Sequence, residues 1–252
     1  AEASAALTPS GAQAARLEGL WPVLAAAERA AASAHRRRLA ERLHGLYVIV
    51  DPALTGGRDP AWVAAEALAG GATALQLRVK ETDAGDWIPL AQRLAALARE
   101  AGAALFINDH VDVAIASGAD GVHLGQHDLP LAAARAVLRP WHLAGTSNAL
   151  VEEARASLEG GADYIAVGRM FETASKANTR PAGPARLAQV RALVPAGGPP
   201  LVAIGGITPA NVGEVAQAGA DGVCVIGAVT GAPDPRGAAA TLLAAFHAGQ
   251  RA

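Results

Sequence analysis

Cysteine, methionine and aromatic residues are scarce in this sequence. It has one cysteine and one methionine, and aromatic residues make up 4% of its 252 positions. A lone cysteine cannot form an intrachain disulfide, which excludes a disulfide-stabilised scaffold and fits a reducing compartment. Because Cys224 lies in the apolar run 223–226, we interpret it as a small core residue rather than a catalytic thiol.

The sequence also lacks an excess of charge and a long apolar run. The formal net charge is −2, and the one basic run, at 35–38, is interpreted as a solvated helix face. We therefore expect no nucleic-acid partner. No apolar stretch reaches the roughly 18 to 20 residues that cross a bilayer, and no signal-peptide order is evident. These features predict a cytoplasmic protein that has no membrane partner and could form a homo-oligomer.

From residue 45 onward, short apolar runs alternate with helical patterns, which is typical of parallel strands joined by crossover helices. The eight runs lie at 46–50, 74–77, 104–107, 121–124, 142–145, 164–167, 201–204 and 223–226. Eight such units predict an α/β protein whose residues 43–252 form one (β/α)₈ TIM barrel. Residues 1–42 are rich in alanine and stand apart as an N-terminal extension, with a helix predicted over 23–42.

A weak repeat punctuates the barrel pattern. A glycine stands between a helical segment and the next strand at four places: Gly71, Gly118, Gly161 and Gly219. Glycine takes the left-handed conformation that ends a helix, so we interpret these positions as structural turns at the N-terminal end of the barrel.

Polar residues at the strand ends are the candidates for chemistry, because active sites of such barrels lie beyond the carboxyl ends of the strands. Gln76, Arg78 and Lys80 alternate along the second strand and should therefore face one side of it. Two cations and an amide at a barrel mouth suit an anionic group such as a diphosphate. The alternative is that the cations pair with Glu81 or Asp83.

Two aspartates follow neighbouring strands. Asp109 comes after the third predicted strand and Asp128 after the fourth. Two carboxylates can share a hard cation and leave positions open for substrate oxygens, the arrangement that Mg²⁺ prefers when it bridges to phosphate. Either residue could instead cap the N-terminus of a helix.

The sixth and later strands end in segments suited to phosphate. The loop after the sixth strand carries Thr173, Ser175 and Lys176, which could fold over a leaving phosphate. The glycine turns at Gly206 and Gly227 could expose backbone N–H groups to a second phosphate. They could equally be tight turns that require glycine.

Taken together, these segments resemble the thiamine phosphate synthase family over nearly all of residues 45–230. The motifs that carry the likeness are LYVIVD at 46–51, QLRVK at 76–80, NDHVD at 108–112, ADGVHLGQHDLP at 119–130, GADYIAVG at 161–168, TASK at 173–176 and AIGGI at 203–207. The segment 119–130 is the most specific of them.

The resemblance implies an activity and a cofactor. The family joins 4-amino-2-methyl-5-hydroxymethylpyrimidine diphosphate to 4-methyl-5-(2-hydroxyethyl)thiazole phosphate, and yields thiamine phosphate and diphosphate with Mg²⁺. By this resemblance Gln76, Arg78 and Lys80 hold the diphosphate, and Asp109 and Asp128 coordinate the metal.

Further roles are implied in the same way for the two small-molecule substrates. Asn108 positions the pyrimidine and its diphosphate, Ser147 hydrogen-bonds near the pyrimidine amine, and His123 and Gln126 belong to the substrate-binding set. On the thiazole side, the implied contacts are Thr173, Ser175, Lys176 on the leaving group, Gly206, and the backbone of Ile226 and Gly227.

The sequence departs from the family pattern at several places. Val79 stands where an acidic residue is common, and Gly227 where serine is frequent. Two alternatives share the resemblance: a thiazole tautomerase and a non-catalytic binder of thiamine phosphates. A tautomerase needs a general base near the fifth strand, where this sequence has Ala149, and it would not use a diphosphate clamp. The synthase is therefore favoured.

Overall fold

The computed structural model of the chain describes residues 11–80, 83–173 and 180–251, with side chains from residue 18 onward except that of Ala84. Eight parallel strands form a closed barrel in sequence order, from β1 beside β2 to β8 beside β1. The strands are β1 Gly45–Val50, β2 Ala74–Leu77, β3 Ala104–Asn108, β4 Gly121–Leu124, β5 Leu143–Asn148, β6 Tyr164–Gly168, β7 Leu201–Ile204 and β8 Gly222–Val225. The predicted TIM barrel is confirmed.

Helices surround the barrel on the outside. In the described parts of the chain they are α1 Gly11–Ala40, α2 Pro60–Ala69, α3 Ala84–Glu100, α4 Val111–Ser117, α5 Leu131–Val137, α6 Val151–Glu159, α7 Gly183–Arg191, α8 Val212–Gln217, α9 Gly227–Thr230 and α10 Pro235–Gln250, with short 3-10 helices at Glu41–Leu43 and Pro52–Leu54. Among these described helices, none combines the length and the apolar character that a membrane span requires.

Two strand predictions were wrong at their ends. The fifth strand was predicted at 142–145 but runs over Leu143–Asn148, because polar Ser147 and Asn148 pair in register with Ala166 and Val167 of β6. The eighth was predicted to reach Ile226. That residue instead precedes α9, where its carbonyl oxygen accepts hydrogen bonds from the N–H groups of Val229 and Thr230, three and four residues further on.

Two separate sets of buried side chains make the core. The larger set fills the space between the strands and the outer helices, with side chains such as Leu75, Val122 and Leu187. The smaller set fills the barrel interior and includes Tyr47, Phe106 and Tyr164. Strand residues alternate between the two sets because successive side chains point to opposite faces. The side chains of β1 and β2 that point into the barrel therefore form rows that end at its C-terminal mouth.

The opposite, N-terminal end forms a closed floor. The four predicted turn glycines all have positive φ, between 73° and 100°, which confirms their structural interpretation. The aspartates that follow three of them each accept a hydrogen bond from a backbone N–H of a neighbouring strand: Asp120 from Leu105, Asp163 from Ala144 and Asp221 from Leu201.

Helix α1 contacts the floor through its C-terminal part. Ala40, and Leu43 of the following 3-10 helix, are buried in the interior cluster, and Arg36 Nε lies 3.1 Å from Asp163 Oδ1. Earlier in the helix, Trp21 is 73% exposed. The helix begins before the predicted residue 23, and the division of the chain at residue 42 stays a prediction.

Candidate active site

Most of the predicted site residues within the described chain gather at the C-terminal mouth of the barrel. A cleft of about 680 Å³ lies at the other end, between α1 and the segment before β7, and is lined by residues such as Arg37, His44 and Pro199. Its charged residues include Arg36 and Arg191, which are paired with the floor aspartates. We assign the candidate site to the mouth, because the carboxylates and cations predicted for chemistry meet there.

Arg78 is fixed by a carboxylate from the neighbouring strand. Its guanidinium forms an ion pair with Asp51, which follows β1 and is 4% exposed. The other Asp51 oxygen accepts a hydrogen bond from the backbone N–H of Ala53 at 3.0 Å. Arg78 Nε is buried and has no hydrogen-bond partner among the described residues. The arginine is thus held in place with a donor to spare, as an anion-binding group requires.

Lys80 and the two predicted metal ligands form a cluster beyond β2, β3 and β4. Lys80 Nζ lies 2.6 Å from Asp109 Oδ2, and Gly125 N donates to Asp128 Oδ2 at 2.6 Å. Arg78 and Lys80, which follow β2, therefore pair with Asp51 and Asp109, whereas Glu81 lies outside the described residues. Neither aspartate caps a helix, since His110 and Pro130 hold the N-cap positions of α4 and α5.

The two carboxyl groups of this cluster interact directly. Burial opposes ionisation of Asp109, but hydrogen bonding with Asp128 and the ammonium group of Lys80 together hold its pKa below the ordinary value. Burial, followed by the interaction with Asp109, raises the pKa of Asp128. Asp109 is therefore the more readily ionised of the two carboxyl groups.

This carboxylate pair fits a hard divalent cation. Mg²⁺ is bound in proteins through one or two carboxylates plus substrate phosphates rather than by a full protein cage. No cluster of three or more metal-ligating side chains occurs within the described ranges, so a cation held by this pair would take its remaining ligands from substrate oxygens and water. Asp109 also has φ +65°, the only positive φ of a non-glycine residue in the described chain.

A chain of buried polar groups crosses the barrel interior just below the mouth. Gln76 Nε2 donates to the Tyr47 hydroxyl at 2.7 Å, and the hydroxyls of Tyr47 and Tyr164 lie 3.2 Å apart. His123 Nδ1 lies 2.8 Å from the Tyr164 hydroxyl, and His123 Nε2 lies 2.8 Å from Ser147 Oγ. The chain thus connects three predicted substrate-binding residues from β2, β4 and β5.

Other predicted residues surround this chain. Asn108 is buried at the end of β3, and Gln126 donates its side-chain amide to the carbonyl oxygen of Ser147. Thr173 is half-buried in the loop after β6. Ser175 and Lys176 lie outside the described residues.

The glycine turn after β7 serves packing as well. Gly206 has φ +67°, and a Cβ there would come within 2.5 Å of the carbonyl oxygen of Glu172. The tight-turn interpretation therefore holds for Gly206. Ile226 and Gly227 lie where β8 passes into α9, with the backbone at the mouth.

Sequence reasoning missed the roles of Asp51, Tyr47 and Tyr164. Asp51 directly follows an apolar strand, which is the signal that should have marked it as a site residue. The two tyrosines lie within apolar runs, where an aromatic residue is interpreted as core.

Comparison with known proteins identifies the family. A family model described as thiamine monophosphate synthase matches residues 46–229. The thiamine-phosphate synthases of Anaeromyxobacter dehalogenans and Moorella thermoacetica are 47% and 46% identical, over 88% and 78% of this chain and 96% and 93% of theirs. The solved thiamine phosphate pyrophosphorylase from Pyrococcus furiosus is 38% identical with a TM-score of 0.76, and the match covers 84% of this chain and 98% of that one. The chain therefore belongs to the thiamine monophosphate synthase family of transferases.

Proposed function

We propose that this enzyme joins the aminopyrimidine diphosphate to the thiazole phosphate by a Mg²⁺-assisted dissociative substitution, which releases diphosphate and gives thiamine phosphate. The observation that carries the proposal is the convergence of Lys80, Asp109 and Asp128 beside Arg78 at the barrel mouth. Cations and a carboxylate pair at one place suit a leaving group that bears several negative charges.

The residues of the mouth divide the work by charge. Arg78, oriented by Asp51, and Lys80 bind diphosphate oxygens and stabilise the charge that builds up on them as the carbon–oxygen bond breaks. Asp109 and Asp128 would hold Mg²⁺, which when bound neutralises further charge on the leaving group. Lys176, predicted from the sequence, would contact the same group from the loop after β6.

The pyrimidine would bind at the barrel mouth, above the packed interior. Asn108 and Ser147 lie at the ends of β3 and β5, where they can orient the ring so that its amino group feeds electrons into the carbon that loses the diphosphate. The thiazole nitrogen then attacks that carbon. Positioning and electrostatic stabilisation suffice for this reaction, so no protein nucleophile is needed.

Incubation of the purified protein with both substrates and Mg²⁺ tests the activity. We expect thiamine phosphate and diphosphate in equal amounts. A folded protein that forms neither product would refute the proposal.

The metal role is tested with Asp109→Asn and Asp128→Asn. Each should lower kcat by about 100-fold or more, because the charge on the leaving group is no longer balanced. Asp86→Asn, at an exposed carboxylate in the first turn of α3, is the control and should keep full activity. Unchanged dependence of the rate on Mg²⁺ concentration in both site variants would contradict the assignment.

A further inference from the structure

Tyr47 and Tyr164 take no part in the mechanism above, although both are fully buried next to the site. Their side chains pack edge to face, with ring centroids 6.1 Å apart, and Phe106 packs against both. Their two hydroxyl groups link Gln76 on one side of the barrel to His123 on the other.

The hydrogen bonds of this chain have a direction. Gln76 donates to Tyr47, and leaving a buried hydroxyl hydrogen unbonded costs free energy. Every hydrogen is used if Tyr47 donates to Tyr164 and Tyr164 donates to His123 Nδ1. Burial raises the pKa of both tyrosines well above the ordinary value, so both keep their hydroxyl hydrogens.

This direction fixes the hydrogen of the His123 ring. With Nδ1 as the acceptor of the Tyr164 hydroxyl, a neutral ring carries its hydrogen on Nε2, which lies 2.8 Å from Ser147 Oγ and donates to it. Ser147 accepts that hydrogen bond, and its own hydroxyl hydrogen is then available to the half-buried space at the end of β5.

We propose that the buried chain Gln76–Tyr47–Tyr164–His123 makes the Ser147 hydroxyl a donor, which selects a substrate ring with an acceptor nitrogen beside its amino group. This inference rests on the proposed function for the identity of the ring. A Ser147 hydroxyl that donates can form a hydrogen bond to the lone pair of a ring nitrogen, but it would be repelled by the hydrogens of the amino group. Tyr47 and Tyr164 are therefore positioning residues, because they act on the substrate only through His123 and Ser147.

The tautomer of His123 tests the chain without any substrate. In ¹⁵N NMR spectra, with the His123 signals identified by their loss in His123→Asn, we expect Nδ1 to be unprotonated and Nε2 protonated. Tyr164→Phe should abolish this fixed pattern, because Nδ1 loses its donor. Phe106→Leu, which changes the same cluster without removing a hydroxyl, should leave it unchanged. A ring hydrogen on Nδ1 in the native protein would overturn the proposal.

A substrate analogue tests the selection. The analogue has C–H in place of the ring nitrogen beside the amine. This replacement also changes the reactivity of the ring, but by the same amount in every protein, so the effect of the analogue is compared between protein variants. For each protein, the decrease in kcat/KM from the substrate to the analogue is measured. This decrease should be about tenfold larger in the native enzyme and in Phe106→Leu than in Tyr164→Phe and Ser147→Ala, as expected for one hydrogen bond. Equal losses in all four proteins would overturn the proposal.

The two tests separate this inference from the proposed function. If the native protein makes no thiamine phosphate, the activity assignment fails, and an unprotonated Nδ1 in the same sample still supports the hydrogen-bond direction. If it makes the product while Tyr164→Phe leaves the His123 signals unchanged, the activity stands and the positioning chain is wrong.

Discussion

Asp51 shows how one buried carboxylate can set the geometry of a substrate-binding cation. We predict that Asp51→Asn lowers kcat/KM about tenfold, because an amide orients Arg78 less firmly than a charged carboxylate does. The amide oxygen can still accept from Ala53 N, so the turn after β1 is kept. Steady-state kinetics check the prediction, and wild-type kcat/KM in this variant would contradict it.

His142 should make stability depend on pH. Burial, and then the positive charge of Arg139, lower its pKa from the ordinary value. Below about pH 6.5 the unfolded chain takes up a proton that the folded state resists, so the free energy of unfolding should fall as the pH drops from 7 to 5. Urea denaturation across this range measures the slope.

The matched variant for this test is His142→Asn, whose amide oxygen can accept from Arg139 N as Nδ1 does. The slope should be shallower in this variant than in the native protein, and an exposed substitution, His127→Asn, serves as the control. An identical slope in the native protein and His142→Asn would show that the pH dependence arises elsewhere.

Side chains at the mouth could be predicted from the sequence where a charged residue directly follows an apolar strand. Asp109 and Lys80 are such residues, and a place in the hydrophobic core would not account for their charge. Tyr47 and Tyr164 were not identified, because a tyrosine in an apolar run has the same pattern whether its hydroxyl bonds another residue or not. The partner of a buried hydroxyl depends on the barrel's closure, which brings β1 and β6 across from each other.

The strands themselves were predicted well where both faces are apolar, and less well where one face is polar. Thr146, Ser147 and Asn148 look like a loop in the sequence, yet they extend β5. Asn148 is buried because its amide bonds the carbonyl oxygens of Thr146 and Ala166 and its oxygen accepts from Ser157. Such local satisfaction of polar groups depends on tertiary neighbours and cannot be inferred from hydrophobic pattern.

The packing of β5 against β6 depends on the absence of a side chain at Gly145. A Cβ at this position would lie 2.0 Å from the Tyr164 ring. Gly145→Ala should therefore destabilise the protein by roughly 1–3 kcal/mol as the ring is displaced. Gly213→Ala in α8, where a Cβ meets nothing within 4 Å, should be neutral or slightly stabilising. Thermal unfolding compares the two, and equal midpoints would contradict the close approach.

The barrel separates its functions between two ends, with chemistry at the mouth and structural contacts at the floor. We predict that deletion of residues 1–30 leaves kcat and the unfolding midpoint unchanged. Deletion of 1–42 should keep kcat but lower stability by about 2 kcal/mol, because it removes buried Ala32 and Ala40 and the Arg36–Asp163 ion pair. Calorimetry and kinetics on both truncations decide this. A folded 1–42 deletion with greatly reduced kcat would refute the separation.

The left-handed backbone at Asp109 implies that conformational stability and catalytic activity favour different residues at this one position. A non-glycine residue at φ +65° carries backbone strain on the order of 1 kcal/mol that glycine would relieve. Asp109→Gly and Asp109→Ala both lose the carboxylate, so both should be inactive, and the glycine variant should be the more stable by about 1 kcal/mol in urea denaturation. If the glycine variant is the more stable one, the enzyme retains a strained backbone at this position because catalysis requires the aspartate side chain.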